Sequence, residues 1–236
     1  MRHQSKTTTA IPLYVQIAES LIREIASGRL TDGQRLPPER VLADQYRTTV
    51  RTLRKSLSEL EKQGMLERIH GSGNYVRSTD QASSIYSMFR LELYQGGGLP
   101  TADFLSITEM EKPSDLPEFG TSSHGVRFRR LRFLDLVPIA VEEIWLDGSC
   151  GVVDTTNLSD SLYRFYRMSL GFWIIRAEDR ISIGQVPDWA PQRFARAPGD
   201  TVGFIERFSW AQRPETVEYS RTWFDTDKAR YVSRIT

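Results

Sequence analysis

The chain of 236 residues has one cysteine, Cys150, and only three histidines. A single thiol excludes an intramolecular disulfide framework. A catalytic thiol needs a neighbouring base, which so few scattered histidines do not supply, so Cys150 reads as an inert filler. No apolar run reaches the roughly 18 residues that mark a membrane-spanning helix. Residues 1–10 are polar and lack the apolar core of a secretory signal, so the expected location is the cytoplasm, with no membrane partner. Also missing are a metal-spaced His/Cys cluster, a nucleophile motif and a glycine-rich phosphate loop, which weighs against an enzyme and against any metal or organic cofactor.

What is present is the balance of an ordinary globular protein, 39% hydrophobic and 26% charged, with length enough for two cores. The net charge of +1 hides an asymmetry: residues 1–78 hold 13 Lys and Arg against 8 Asp and Glu, leaving 18 against 22 for the remainder. A basic small domain joined to a mildly acidic larger one suits a DNA reader tied to a module that does not touch DNA. Aromatics divide more unevenly still, with 22 of 25 after residue 78, so the two halves have different cores.

Leu13, Ile17, Leu21 and Ile25 recur at four-residue spacing, with Tyr14, Ala18 and Ile22 beside them, and Gly28 supplies a stop. That pattern predicts an amphipathic helix over 12–28. Thr31-Asp32-Gly33 reads as a turn. A short helix is expected after Pro37-Pro38, with Val41, Leu42 and Tyr46 facing inward. A third, from about Thr49 to Gln63, packs Leu53, Leu57 and Leu60 and ends at Gly64. Met65–Ile69 and Asn74–Arg77 flank His70-Gly71-Ser72-Gly73 as a β-hairpin. Three helices and a hairpin in about 65 residues form a winged helix-turn-helix, whose third helix enters the major groove. Residues 78–84 are polar and aperiodic, a linker. Beyond them, Val126–Phe133, Pro138–Trp145, Ile174–Ile183, Val202–Ala211 and Val217–Phe224 read as strands and Leu162–Leu170 as a helix. Many strands with few, separate helices indicate an α+β domain on an antiparallel sheet.

Particular residues then resemble a known family. Ile11-Pro-Leu-Tyr-Val-Gln-Ile, Gly28, Gly33-Gln-Arg-Leu-Pro-Pro-Glu-Arg, Val50-Arg-Thr-Leu-Arg-Lys-Ser-Leu-Ser-Glu-Leu, Gly64 and His70-Gly-Ser-Gly-Asn-Tyr-Val resemble, in order and spacing, the DNA-binding domain of GntR-family regulators. The resemblance covers residues 11–77 and implies that Arg40, Arg54, His70 and Gly71 contact double-stranded operator DNA. The chemistry agrees. Arg51 and Arg54 share a helix face and can grip guanine or phosphate. Thr48, Thr49 and Thr52 offer hydroxyls near a helix N-terminus that favours phosphate, and Gly71 and Gly73 let the wing approach DNA, with Ser72 beside them. One departure stands out: where the family has Gly-Val-Ser-Arg, this chain has Arg47-Thr48-Thr49-Val50. Either Arg47 and Arg51 replace the usual base-reading arginine, or Val50 touches a thymine methyl. Glu39 reads as a partner for a nearby arginine or as an N-terminal helix charge. Arg23, Arg29 and Arg35 read as solvated surface charges.

In the second half, Gly125-Val-Arg-Phe-Arg-Arg-Leu-Arg-Phe, Pro138-Ile-Ala-Val-Glu-Glu, Ser161-Leu-Tyr, Arg176-Ala-Glu-Asp-Arg-Ile and Val217-Glu-Tyr-Ser-Arg-Thr-Trp-Phe resemble the UTRA effector domain of the HutC-type branch. That resemblance spans about 85–235. It implies a six-stranded antiparallel sheet shaped like chorismate lyase, an effector pocket in the sheet, and a homodimer made chiefly by this domain. It also implies a pocket lined by Arg130, Arg132, Glu142, Ser161, Tyr163 and Tyr219, with Arg90 and Arg176 as further candidates. Arg130 and Arg132 stand two apart on a strand and so project from one face. Two guanidiniums there need an anion, either a ligand carboxylate or phosphate or an acid such as Glu142 or Glu143 on the next strand. Trp145 and Trp223 read as packing residues.

The expected organisation is therefore a flexible arm (1–10), a winged helix-turn-helix (11–77), a linker (78–84) and an α+β UTRA domain (85–236). The expected function is a transcription regulator, a repressor by the family's usual habit, controlled by a carboxylated or phosphorylated effector. A ligand-independent DNA binder and a lyase-like enzyme are the alternatives.

Overall fold

The computed structural model describes residues 11–77, 88–155, 158 and 161–234; residues 1–10 and the linker 78–84 lie outside them. The chain divides into two compact units: one holds 11–100 with 231–234, the other 101–230.

In the first unit, α1 (Leu13–Ala26), α2 (Glu39–Gln45) and α3 (Val50–Lys62) precede the hairpin β1 (Leu66–Ile69) and β2 (Gly73–Val76). The four-residue spacing places Ile17, Leu21 and Ile25 of α1 in a core with Leu42, Leu53, Leu57, Leu60, Met65 and Val76. Truncating any of the fully enclosed leucines to alanine costs about 2–5 kcal/mol. Leu13 and Val41 are exposed, against expectation, because Leu13 opens α1 and Val41 falls on the outer face of α2. Pro38 precedes α2, where its missing N–H costs nothing. The wing hairpin pairs Leu66 with Val76 and Ile69 with Gly73. Residues 33–36 broaden it: Gly33 N donates to Val76 O, Leu36 N to Asn74 O, and Val76 N to Gln34 O.

The same unit contains β3 (Leu91–Leu93) and residues 231–234. Val232 N donates to Arg90 O, and the Arg234 guanidinium bonds both Glu92 oxygens at 2.7 and 3.0 Å. Arg23 and Arg29, expected at the surface, are instead packed against this segment. Arg23 is buried, donates to Gly98 O at 3.0 Å and covers the Phe89 ring, while Arg29 lies against Gly96 and Gly97.

The second unit is built on β4 (Pro100–Glu111), β5 (His124–Leu134), β6 (Val137–Asp147), β7 (Arg176–Gln185), β8 (Thr201–Trp210) and β9 (Thr216–Phe224). Their spatial order is β4-β5-β6-β9-β8-β7. The pairings β5–β6, β6–β9, β9–β8 and β8–β7 are antiparallel. Periodicity located five of these strands; β4 is the sixth. The expected helix over 162–170 is a single α turn, α4 (Leu162–Phe165), which widens over Tyr166–Leu170.

Strand alternation gives the sheet two different faces. On one, Val126, Phe128, Ile144 and Leu146 pack beneath Leu162, Phe165 and Tyr166. On the other, Leu131, Val141 and Trp223 pack with Val186 and Phe194, and Trp145, Tyr219 and Phe208 with Phe119.

Candidate DNA interface and effector site

The N-terminus of α3 is made by two threonines. Thr49 Oγ1 accepts from Thr52 N at 3.2 Å and lies 3.0 Å from Thr52 Oγ1, which satisfies the start of the helix. Both hydroxyls expected at DNA thus already serve the helix, and Thr48 beside them is half-buried. Val50 packs partly against the core. The polar face of α3 is open within its unit, with Arg51 and Arg54 exposed, as are Arg40 on α2, Arg47 in the turn, and His70 and Gly71 at the wing tip. Ser72 is half-buried, 2.7 Å from Tyr75 Oη.

The charges divide into two groups. Arg54 donates to Glu39 at 2.7 Å, Arg68 lies 3.2 Å from Glu61, Lys62 is 2.9 Å from Glu59, and Arg77 pairs with Glu67. Arg40, Arg47 and Arg51 make no ion pair or side-chain hydrogen bond among the described residues. Three uncompensated guanidiniums therefore lie on the helix-turn-helix, with Arg35 beside the wing and Lys55 on α3 also lacking an acid partner among the described residues. Arg29, Arg54, Lys62, Arg68, Arg77 and Arg234 are matched by acids.

In the sheet unit, Arg130 stands directly opposite Glu142 across the β5–β6 ladder, and Arg129 opposite Glu143. Consecutive strand residues face opposite ways, so these are two ion pairs on two faces. Arg130 donates to Glu142 at 2.7 Å and Arg132 approaches it at 3.6 Å, all three buried. Of the carboxylates on β6, it is Glu142 that answers the arginine pair. Burial pushes the Glu142 carboxyl up, but the Arg130 and Arg132 guanidiniums outweigh it and hold the group below the ordinary glutamate value. On the other face, Glu143 accepts from Arg129, Arg221 and Trp145.

The Glu142 face carries a second polar cluster. Glu218 accepts from Tyr166 at 2.6 Å, Ser209 at 3.0 Å and Tyr163 at 3.2 Å. Burial dominates there and raises its carboxyl above the ordinary value despite these donors and Arg207. Arg207 grips Asp179 with two bonds, at 2.5 and 2.7 Å, and its charge reaches Glu142. Ser161 caps α4, accepting from Arg164 N at 3.3 Å.

Of the predicted effector residues, Arg130, Arg132, Glu142 and Tyr163 meet on this face, with Ser161 at the start of the helix that covers it. Tyr219 and Arg176 do not. Tyr219 pairs with Trp145 and Phe208 on the opposite face and donates to Glu206, while Arg176 is exposed at 4.2 Å from the Trp210 ring. One residue of strand parity separates Tyr219 from Glu218 and is enough to remove it from the site. Arg90 belongs to the other unit. Arg207, Ser209, Asp179 and Tyr166 were not anticipated. For Arg207 and Ser209 a signal existed, since they stand two apart on one strand and share a face. Trp145 and Trp223 are core residues as expected, and Cys150 is pushed up to about 11 by burial, as an inert thiol should be.

A winged helix-turn-helix with uncompensated arginines, joined to an antiparallel sheet enclosing a buried arginine cluster, defines a DNA-binding regulator with a separate sensing module. Comparison with known proteins agrees. The profile described as "UTRA domain" matches residues 95–230 and that described as "Bacterial regulatory proteins, gntR family" matches 13–76. The HTH-type transcriptional regulator SmoD of Agrobacterium fabrum is 53% identical over 238 residues, spanning 100% of both chains. The mannosyl-D-glycerate transport/metabolism system repressor MngR of Escherichia coli is 27% identical over 237 residues, covering 94% of this chain and 95% of its own. Among solved structures, the possible transcriptional regulator YydK of Bacillus subtilis shares the fold with a TM-score of 0.52 at 18% identity, over 96% of this chain and 100% of that one. The chain belongs to the gntR family of bacterial regulatory proteins, in the branch that carries a UTRA domain. It is a DNA-binding transcriptional regulator rather than an enzyme, and a small-molecule effector fits its UTRA domain. No helix among the described residues is long and apolar enough to cross a membrane.

Proposed function

We propose that the chain is a cytoplasmic repressor that binds operator DNA as a homodimer and is released by an anionic effector. The observation that carries the DNA half is the set of exposed, uncompensated guanidiniums on α2, the turn and α3, namely Arg40, Arg47 and Arg51. The contact surface comprises these with Thr48, Thr49, Thr52, Arg54, His70, Gly71 and Ser72. A single winged domain buries little surface on DNA, so two half-sites read by two copies are the natural assembly. Of the two edge strands, β7, with Ile181 and Ile183 exposed, supports pairing between sheet units.

The effector is a carboxylated or phosphorylated compound held by Arg130 and Arg132, with Glu142, Ser161 and Tyr163 around it. Guanidinium groups fork onto carboxylate and phosphate oxygens, so a site built on two of them suits an oxyanion ligand. The glycerate moiety in the name of the Escherichia coli relative, and its description as a repressor, support both the anionic chemistry and the sign of control. A coupling of about 1–3 kcal/mol is enough to change operator affinity about 5–150-fold.

The test is footprinting on the DNA upstream of the chain's own gene, with and without pooled carboxylated and phosphorylated metabolites. Protection of a two-fold symmetric site, lost on adding one pool and weakened by Arg51→Ala, supports the reading. Protection unaffected by Arg51→Ala refutes the interface, and release only by uncharged compounds refutes the arginine site.

A further inference from the structure

All three helices of the DNA-binding unit end with the same pair of backbone bonds. After α1, Gly28 N donates to Ile25 O and Arg29 N to Glu24 O; after α3, Gly64 N donates to Glu61 O and Met65 N to Leu60 O. After α2, Arg47 N donates to Asp44 O at 3.0 Å and Thr48 N to Ala43 O at 2.9 Å. This closure requires a left-handed residue just past the helix, a position that glycine occupies at least cost. Gly28 at φ +68° and Gly64 at φ +71° fill it in two cases, but the third holds Arg47 at φ +46°. An L side chain in that region is disfavoured, so the unit carries strain at one helix end that it avoids at the other two.

Nothing within the fold explains the arginine. Its side chain is exposed and makes no hydrogen bond or ion pair among the described residues, so removing it would lose no contact. Its location does explain it. Arg47 stands in the turn of the helix-turn-helix, two residues before the cap of α3, and the Thr49 and Thr52 hydroxyls at that cap are already bonded to the helix. Arg47 adds a second exposed cation beside the α3 N-terminus, next to Arg51 in the first turn of that helix. Side chains of the turn lie outside the helix that enters the groove, which puts a long guanidinium there at the sugar-phosphate backbone.

We infer that Arg47 is a phosphate anchor of the turn, kept in a strained backbone conformation for its charge. This rests on the regulator reading and deepens it. Phosphate gripping is sequence-independent, so a short mixed-sequence DNA duplex serves as the probe. In the full-length protein, Arg47→Gly is expected to raise the thermal midpoint by about 2–4 °C. It should also weaken duplex binding and flatten the log-affinity against log-salt slope by about 0.9. Arg47→Lys keeps the charge and the strain, so it should retain the slope without the gain in midpoint.

Two results would overturn the anchor: a slope unchanged in Arg47→Gly, or a loss of affinity confined to one base pair of a selected site. The latter would make Arg47 a base reader. If instead the unsubstituted protein ignores duplex DNA altogether, the regulator reading falls, and the two failures remain distinct.

Discussion

Arg54 on α3 donates to Glu39 on α2 across 2.7 Å, so a side chain expected at the DNA is already held by an acid of its own unit. Exposed pairs of this kind contribute about 0–1 kcal/mol to stability. Their larger consequence here is electrostatic. Removing the acid with Glu39→Gln should leave the melting temperature nearly unchanged while freeing Arg54 for a phosphate. Fluorescence-anisotropy titrations at several salt concentrations should then show tighter binding at low salt and a slope steeper by about 0.9. A weaker complex would show instead that Glu39 positions Arg54 productively.

Glu142 is the counter-anion of two buried guanidiniums, and its removal should be costly. Leaving part of a buried charge cluster uncompensated costs about 3–5 kcal/mol. Glu142→Gln should therefore melt several degrees lower than the parent protein. Added phosphate or a small carboxylate should restore more of that loss than it adds to the parent, because the oxyanion takes the vacated role. Differential scanning fluorimetry across anion concentrations measures both, and equal shifts in the two proteins would remove the arginine pair from the effector site.

Glu142 and Glu218 should respond to pH in opposite directions. The Glu142 carboxyl sits below its ordinary value of 4.5. Its contribution is therefore present above pH 4.5 and lost as pH falls through the folded-state value. The Glu218 carboxyl sits above 4.5. The folded protein then binds its proton more tightly than the unfolded chain, so stability falls as pH rises from 4.5 through the folded-state value. Glu218→Gln should thus raise the melting temperature at neutral pH, with the gain shrinking towards pH 4.5. A gain that grows on acidification would contradict the raised value.

Gly97 marks where α1 meets the segment before the sheet unit. It has φ +65°, and a Cβ there would fall 2.0 Å from Arg29 Nη1 and 2.8 Å from Glu24 Oε1. Backbone strain and the displaced guanidinium together should make Gly97→Ala destabilising by about 1–3 kcal/mol. Urea denaturation with an unchanged m-value would register this as a lower midpoint.

Legibility varied with the kind of signal. The helices and wing of the first unit were readable because amphipathic spacing, Pro38, Gly28 and Gly64 are local instructions. Strand β4 escaped because its apolar side chains do not keep one parity: Phe104 and Ile107 join one core cluster and Met110 another, while exposed Asp103, Glu109 and Glu111 dilute the pattern. Tyr219 was assigned to the effector site by motif, yet its place on β9 turns it towards Trp145 and Phe208. Arg23 and Arg29 looked like surface charges because nothing nearby in sequence announces a segment 60 or more residues later that covers them.

By itself the sequence determined the two-part organisation, the winged helix-turn-helix and its open arginine face, and the side-by-side projection of Arg130 and Arg132. The first follows from composition along the chain, the others from spacing and stop signals that are local in sequence. Tertiary structure decided which charges stay uncompensated and which acid answers each arginine: Glu39 for Arg54, Glu142 for Arg130, Asp179 for Arg207. Those partners lie on different elements, and the distances between them are set by strand register and helix packing, which no local pattern encodes.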